Sequence, residues 1–169
     1  MEDAFDVLAE DHEEIRQVLA ELAKGPTAAT GATEDQLMLR KMMTDELIVE
    51  AAKHEDIELT YVWPAVRAHV ASGGQLADRG ICAELEIKLL LAGLAGLDVG
   101  EPRFETLLAE FTAAARAHFE FEERHAWPRL RPALTPKAAA ELGRKILLGK
   151  QPALALPHPR ASASEGRAL

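Results

Sequence analysis

The chain has 169 residues, 48% of them hydrophobic and only 5% aromatic, enough to bury the core of one domain without disulfides. A formal charge of −9 excludes a phosphate-binding face, because nucleic-acid affinity comes from Lys and Arg neutralising phosphates, so small ligands or cations are the expected partners. With the lone cysteine Cys82, no apolar run near the roughly 20 residues of a membrane helix, and neither a basic nor an apolar leader at Met1 to Phe5, the expectation is a cytoplasmic protein without nucleic-acid or membrane partners.

From Asp3 to Ala23, the residues Phe5, Leu8, Ile15, Leu19 and Leu22 recur at helical spacing behind a capping Asp3. Gly25-Pro26 interrupts the pattern, and Thr33 with Gln36 reads as a capping box opening a long second helix toward His69, ended by Gly73-Gly74. A third helix is expected from about Ala77 to Leu97, stopping near Gly100 and Pro102, and a fourth from about Arg103 to Arg131. Thr135-Pro136 has the form of a further helix start, giving a short fifth helix to about Leu148 that packs across the others. Past Lys150, the prolines 152, 157 and 159 and a run of Ala, Ser and Gly read as a disordered tail over 151–169, behind a single domain over 1–150. Short connections make neighbours antiparallel, so the expected fold is all-α, an antiparallel up-down-up-down four-helix bundle with a short fifth helix and a disordered C-terminal tail.

The second and fourth helices repeat one signature. His54 and Glu58 lead to Trp63-Pro64 and Arg67, and His118 and Glu122 lead to Trp127-Pro128 and Arg131, at identical internal spacing. The first and third helices align as well, laying His12, Ile15, Leu19 and Leu22 over Glu84, Ile87, Leu91 and Leu94. Two hairpins related by pseudo-twofold symmetry would bring four equivalent positions to one internal axis, which suits a paired site.

Residues four apart on a helix lie about 40° apart around its axis, so His54 and Glu58 project together, as do His118 and Glu122. These polar residues fall on apolar stripes: Leu47, Ala51, His54, Glu58, Tyr61 and Ala65 on one helix, and Phe111, Ala115, His118 and Glu122 on another. His12 continues the stripe of Leu8 and Ile15, and Glu84 lies between Ile81 and Ile87. Six ionisable groups are therefore aimed inward. Bare carboxylates in a core cost several kcal/mol each or stay protonated, whereas two cations would compensate them. A set of imidazole and carboxylate ligands without clustered Cys suits iron first and manganese second, and argues against structural zinc.

The order His, then His-x-x-x-Glu with Trp-Pro, then His-x-x-x-Glu with a second Trp-Pro, resembles the hemerythrin and HHE cation-binding family over roughly Asp3 to Arg131. The resemblance implies a di-iron site in which His12 and His54 bind one iron, His118 binds the other, and Glu58 and Glu122 bridge them. The third helix departs from the family, which usually has His at Glu84 and, in oxygen carriers, a further His at Lys88. Glu84 reads as an anionic ligand to the second iron, the alternatives being a buried acid paired with Lys88 or a site that has lost one metal. Tyr61 and His125, each three residues beyond a ligand carboxylate, are candidate outer donors. Trp63, Pro64, Trp127 and Pro128 read as structural, the prolines kinking each helix, and Cys82 as a small buried hydrophobe.

The expected function is binding or sensing of dioxygen, peroxide or nitric oxide at a non-haem di-iron centre. The alternative is a peroxide-decomposing or ferroxidase-like enzyme on the same residues, and the third reading is a structural bundle with a degenerate site.

Overall fold

A computed structural model describes residues 3–151, whose regular elements are all helical, without strands among the described residues. The tail expected to be disordered over 151–169 lies outside the described residues from 152 onward. Helix α1 (Ala4–Ala23) starts where Asp3 accepts the Phe5 N–H, and α2 (Glu34–Ile57) starts at the reciprocal box of Thr33 and Gln36. A π-helical turn at Glu58–Val62 carries α2 into α3 (Trp63–His69). After α4 (Gly73–Ala95) comes α5 (Pro102–Phe121), whose own π turn at Glu122–Ala126 leads to α6 (Trp127–Ala133). Thr135 caps α7 (Pro136–Lys150) by accepting the Ala138 N–H. The seven segments thus form five rods, four in the bundle and α7 laid against α1, α2 and the first π turn.

Two details differ from the sequence expectation. Gly73-Gly74 opens α4 instead of merely ending the preceding helix, because the chain turns so tightly that a Cβ on Gly73 would stand 2.1 Å from the Val66 carbonyl oxygen. The prolines follow a π turn in both repeats. Pro64 and Pro128 lack an N–H and would press on the carbonyl four residues back; the wider turn moves that carbonyl away, and the Trp63 and Trp127 N–H groups bond five residues back to the Glu58 and Glu122 carbonyls. The same turn in both halves supports the internal repeat.

The core divides into two apolar clusters. One holds Phe5, Leu8, Val62, Trp63, Leu130 and Ile146; the other holds Leu19, Leu47, Ile87, Phe104 and Phe111. Burying each of these large side chains contributes about 1.5–3 kcal/mol. Between the clusters lies a polar layer. His12 falls between Leu8 and Ile15, His54 between Ala51 and Ile57, Glu84 between Ala77 and Ile87, and His118 between Ala115 and Phe119.

Candidate metal centre

The bundle brings the six inward-facing donors into two overlapping groups: His12, His54, Glu58 and Glu122, and Glu58, Glu84, His118 and Glu122. Within each group one ligand atom per residue lies within 4.8 Å of the others. Glu58 and Glu122 belong to both. All six side chains are at most 2% exposed.

In the first group His12 Nε2 stands 3.1 Å from His54 Nε2 and 3.2 Å from a Glu122 oxygen, and His54 Nε2 stands 3.4 Å from Glu58. In the second, His118 Nε2 lies 3.7 Å from Glu58, 3.8 Å from Glu84 and 3.5 Å from Glu122. Neither oxygen of Glu58, neither oxygen of Glu122, nor His118 Nε2 has a hydrogen-bond partner, although all are buried. Such orphaned acceptors cost roughly 1–3 kcal/mol apiece, more when charged. Imidazole nitrogens and carboxylate oxygens converging this way fit a pair of metal ions, and no hydrogen bond from another group among the described residues satisfies them.

Residues outside the six hold two of the three imidazoles, while His118 Nδ1 has no hydrogen-bond partner. His12 Nδ1 donates to Glu123 at 2.8 Å, and Arg16 donates to the same oxygen at 2.8 Å. His54 Nδ1 donates to Asp11 at 3.2 Å, and Asp11 is paired in turn with Lys150 at the end of α7. A carboxylate on Nδ1 fixes the tautomer and turns Nε2 inward. The His12 ring is also clamped between Phe119 at 3.9 Å and Trp127 at 4.9 Å, both nearly parallel to it. These partners escaped the sequence reading because they arrive from other helices; only Asp11 and Glu123, each adjacent to a ligand, carried a local signal. A cleft of about 110 Å³ beside His54 is lined by Asp11, Ile15, Leu47, Ile57 and Lys150, among others.

A further carboxylate was not foreseen. Glu55 is 1% exposed, its Oε2 has no partner, and burial, followed by the charge of Glu58, raises it to about 8. In the absence of a cation, protons balance the layer. Burial, then Glu58 and Glu55, pushes Glu84 up to about 10, and burial with Glu58 pushes Glu122 well above the usual carboxylate range. Burial opposes the charge of His54, but Glu58 and Asp11 outweigh it and raise His54 to about 10. Burial works against ionised Glu58 too, and the imidazoles of His54 and His118 nevertheless hold it well below its ordinary value. His12, desolvated by burial, falls to about 4 despite its bond to Glu123.

The remaining candidates lie elsewhere. His125 is exposed against the Phe121 ring, and Tyr61 is half-buried in a cleft with Pro64, Leu142 and Lys145; neither joins the two groups. The cause is the π turn, which has more residues per turn than an α-helix and so swings the third residue after Glu58 or Glu122 off the ligand face. Lys88 pairs with Asp56, not with Glu84. Cys82 is exposed, because two residues before Glu84 is nearly the opposite side of α4. Among the described residues no helix is long and apolar enough to cross a membrane.

Over residues 3–130 the chain matches the family described as the Hemerythrin HHE cation binding domain. Among solved structures it is similar to the Hemerythrin HHE cation binding domain-containing protein of Mycobacterium kansasii, described as an Rv2633c homolog. The TM-score is 0.70 at 26% identity, over 88% of this chain and 85% of that one. No curated protein matches the sequence. The helical bundle, the buried cluster of His and Glu and the match over most of its length together show that the chain belongs to the hemerythrin HHE cation-binding family.

Proposed function

We propose that this protein holds two iron ions and uses them to bind or sense dioxygen, peroxide or nitric oxide. The observation that carries the reading is that Glu58 and Glu122 are each shared by both donor groups while all four of their oxygens lack a hydrogen-bond partner. Two shared carboxylates, with His12 and His54 on one side and His118 and Glu84 on the other, make ligand sets for two neighbouring ions. Oxygen and nitrogen donors without thiolate favour iron, with manganese second. When bound, the ions supply open coordination positions and a change of oxidation state. The chain supplies a dry enclosure and imidazoles fixed by Glu123 and Asp11, and its three anionic ligands stabilise the oxidised metal. A cytoplasmic setting goes with this reading.

A peroxide-decomposing or ferroxidase-like activity is the second reading, favoured by Glu84. An anion in place of imidazole on the third helix leaves three carboxylates against three imidazoles, a set suited to a ferric resting state. The test is to load the full chain with iron and follow its absorption spectrum while dioxygen, peroxide or nitric oxide is added. A stoichiometric spectral change without consumption supports binding or sensing. Sustained loss of excess peroxide supports the enzyme, and a spectrum indifferent to all three ligands defeats both.

A further inference from the structure

Glu84 is the site residue that breaks the repeat, and its surroundings break it too. Its Oε1 accepts a hydrogen bond from the Trp63 indole Nε1, while its Oε2 is buried without a partner. Trp63 is itself fully buried. Its ring fits only because residue 80, one helical turn before Glu84, is glycine: a Cβ there would stand 2.3 Å from two atoms of the indole.

The other half of the repeat is built differently. The position four residues before His12 is Leu8, fully buried, and there the matching Trp127 lies flat on the His12 ring with its Nε1 unpartnered. Gly80, Trp63 and Glu84 therefore differ as a unit from Leu8, Trp127 and His12. The π turn makes the arrangement reachable. In an ordinary α-helix the fifth residue after Glu58 would point well away from it, whereas closure over five residues returns Trp63 to the ligand face.

We propose that Trp63 is the positioning residue for Glu84, resting on the reading that Glu84 serves the second ion, and that Gly80 is the space that admits it. The indole N–H is a donor only. It bonds Oε1, the oxygen that lies 3.8 Å from His118 Nε2, fixes the rotation of the group and leaves Oε2 without a protein partner. Trp63 thereby holds the Glu84 carboxylate against the donors of the second ion and has no such action on the first.

The test titrates the metal-free full chain with Mn²⁺, a probe that needs no oxidant, and measures the dissociation constants of the first and second equivalents. Trp63→Phe keeps an aromatic ring and removes the N–H. The expected result is a second-equivalent constant weakened about 10- to 100-fold, the usual cost of losing an outer partner of a ligand, with the first within about twofold of wild type. Gly80→Ala should do the same by displacing the ring. In a Glu84→His background, which offers no carboxylate oxygen to the indole, Trp63→Phe should leave both constants within about twofold. If Trp63→Phe does not fold, benzothienylalanine at position 63 retains the shape of the indole and lacks the N–H. An unchanged second equivalent, equal weakening of both, or the full loss persisting in the Glu84→His background overturns the inference. A wild-type chain that takes up fewer than two ions instead defeats the paired-site reading on which it rests.

Discussion

Glu58 and Glu122 occupy the same place in the two halves of the repeat, each the first residue of a π turn that leads to a Trp-Pro, and each is counted in both donor groups. Shared ligands and private ligands have different consequences when removed. Glu58→Gln or Glu122→Gln is predicted to weaken both metal equivalents by at least about 100-fold, since first ligands matter more than the outer partners whose loss costs 10–100-fold. His12→Ala is predicted to affect mainly one equivalent and His118→Ala the other. Metal analysis after dialysis against a graded chelator checks the pattern.

Stability without metal should depend on pH in a defined direction. Folding raises Glu55 to about 8, Glu84 to about 10 and His54 to about 10, so the folded protein retains protons that the unfolded chain has released. The stability they contribute is complete below the unfolded values and is lost as pH rises through the folded ones. His12, lowered to about 4, acts in the opposite sense, but only between about pH 4 and its ordinary 6.5. Metal-free Tm is therefore predicted to fall by several degrees on the order expected for a chain of this size between pH 6.5 and 10. Circular-dichroism melts at a series of pH values measure this, and metal loading should flatten the slope because cations hold the ligands deprotonated.

Glu55→Gln isolates one contributor. The amide mimics the protonated acid, so metal-free Tm should match wild type near pH 4, where the group is protonated in both states, and rise progressively above it toward pH 9, because the wild-type chain must take up a proton or bury a charge to fold. Paired melts at the two pH values check this.

Asp11→Asn and Glu123→Gln leave the six inward donors in place and remove the anions that orient His54 and His12. Each is predicted to weaken one metal equivalent about 10- to 100-fold; Asp11→Asn should also lower metal-free Tm, because it removes an anion that supports the protonated His54, whereas Glu123→Gln, facing a neutral His12, should change it little. Competition titration against a chelator reads the first quantity and calorimetry the second.

Gly73→Ala should destabilise although alanine is the better helix former. The new methyl would meet the Val66 carbonyl oxygen at 2.1 Å, and forcing that corner open costs about 1–3 kcal/mol. Urea unfolding of metal-free protein checks it.

Much of this architecture was readable in the sequence because helical patterning is local. Asp3, Thr33 with Gln36, and Thr135 are caps whose signal lies within three residues of the element they start, and all three cap as expected. Inward placement of His12, His54, Glu58, Glu84, His118 and Glu122 followed from flanking residues such as Leu8, Ala51 and Ile87, all buried as their periodicity implied. On α2 the pattern was blurred by Met38, Met42 and Val49, which are apolar yet exposed, so the duplicated His-x-x-x-Glu carried more weight than the stripe. What sequence could not supply was the phase change at each π turn, which moves Tyr61 and His125 off the site and brings Trp63 onto it. Nor could it supply pairs such as Arg16 with Glu123 or Lys150 with Asp11, which are set by the approach of distant helices.

The central claim, that two cations complete the buried polar layer, is tested most directly by titrating the metal-free chain anaerobically with ferrous iron while measuring bound metal and Tm together. The account predicts that both rise through two equivalents per chain and then level off, because an ion bound only by the folded state stabilises it in proportion to its affinity. Bound iron that stays below one equivalent while Tm remains constant would contradict it.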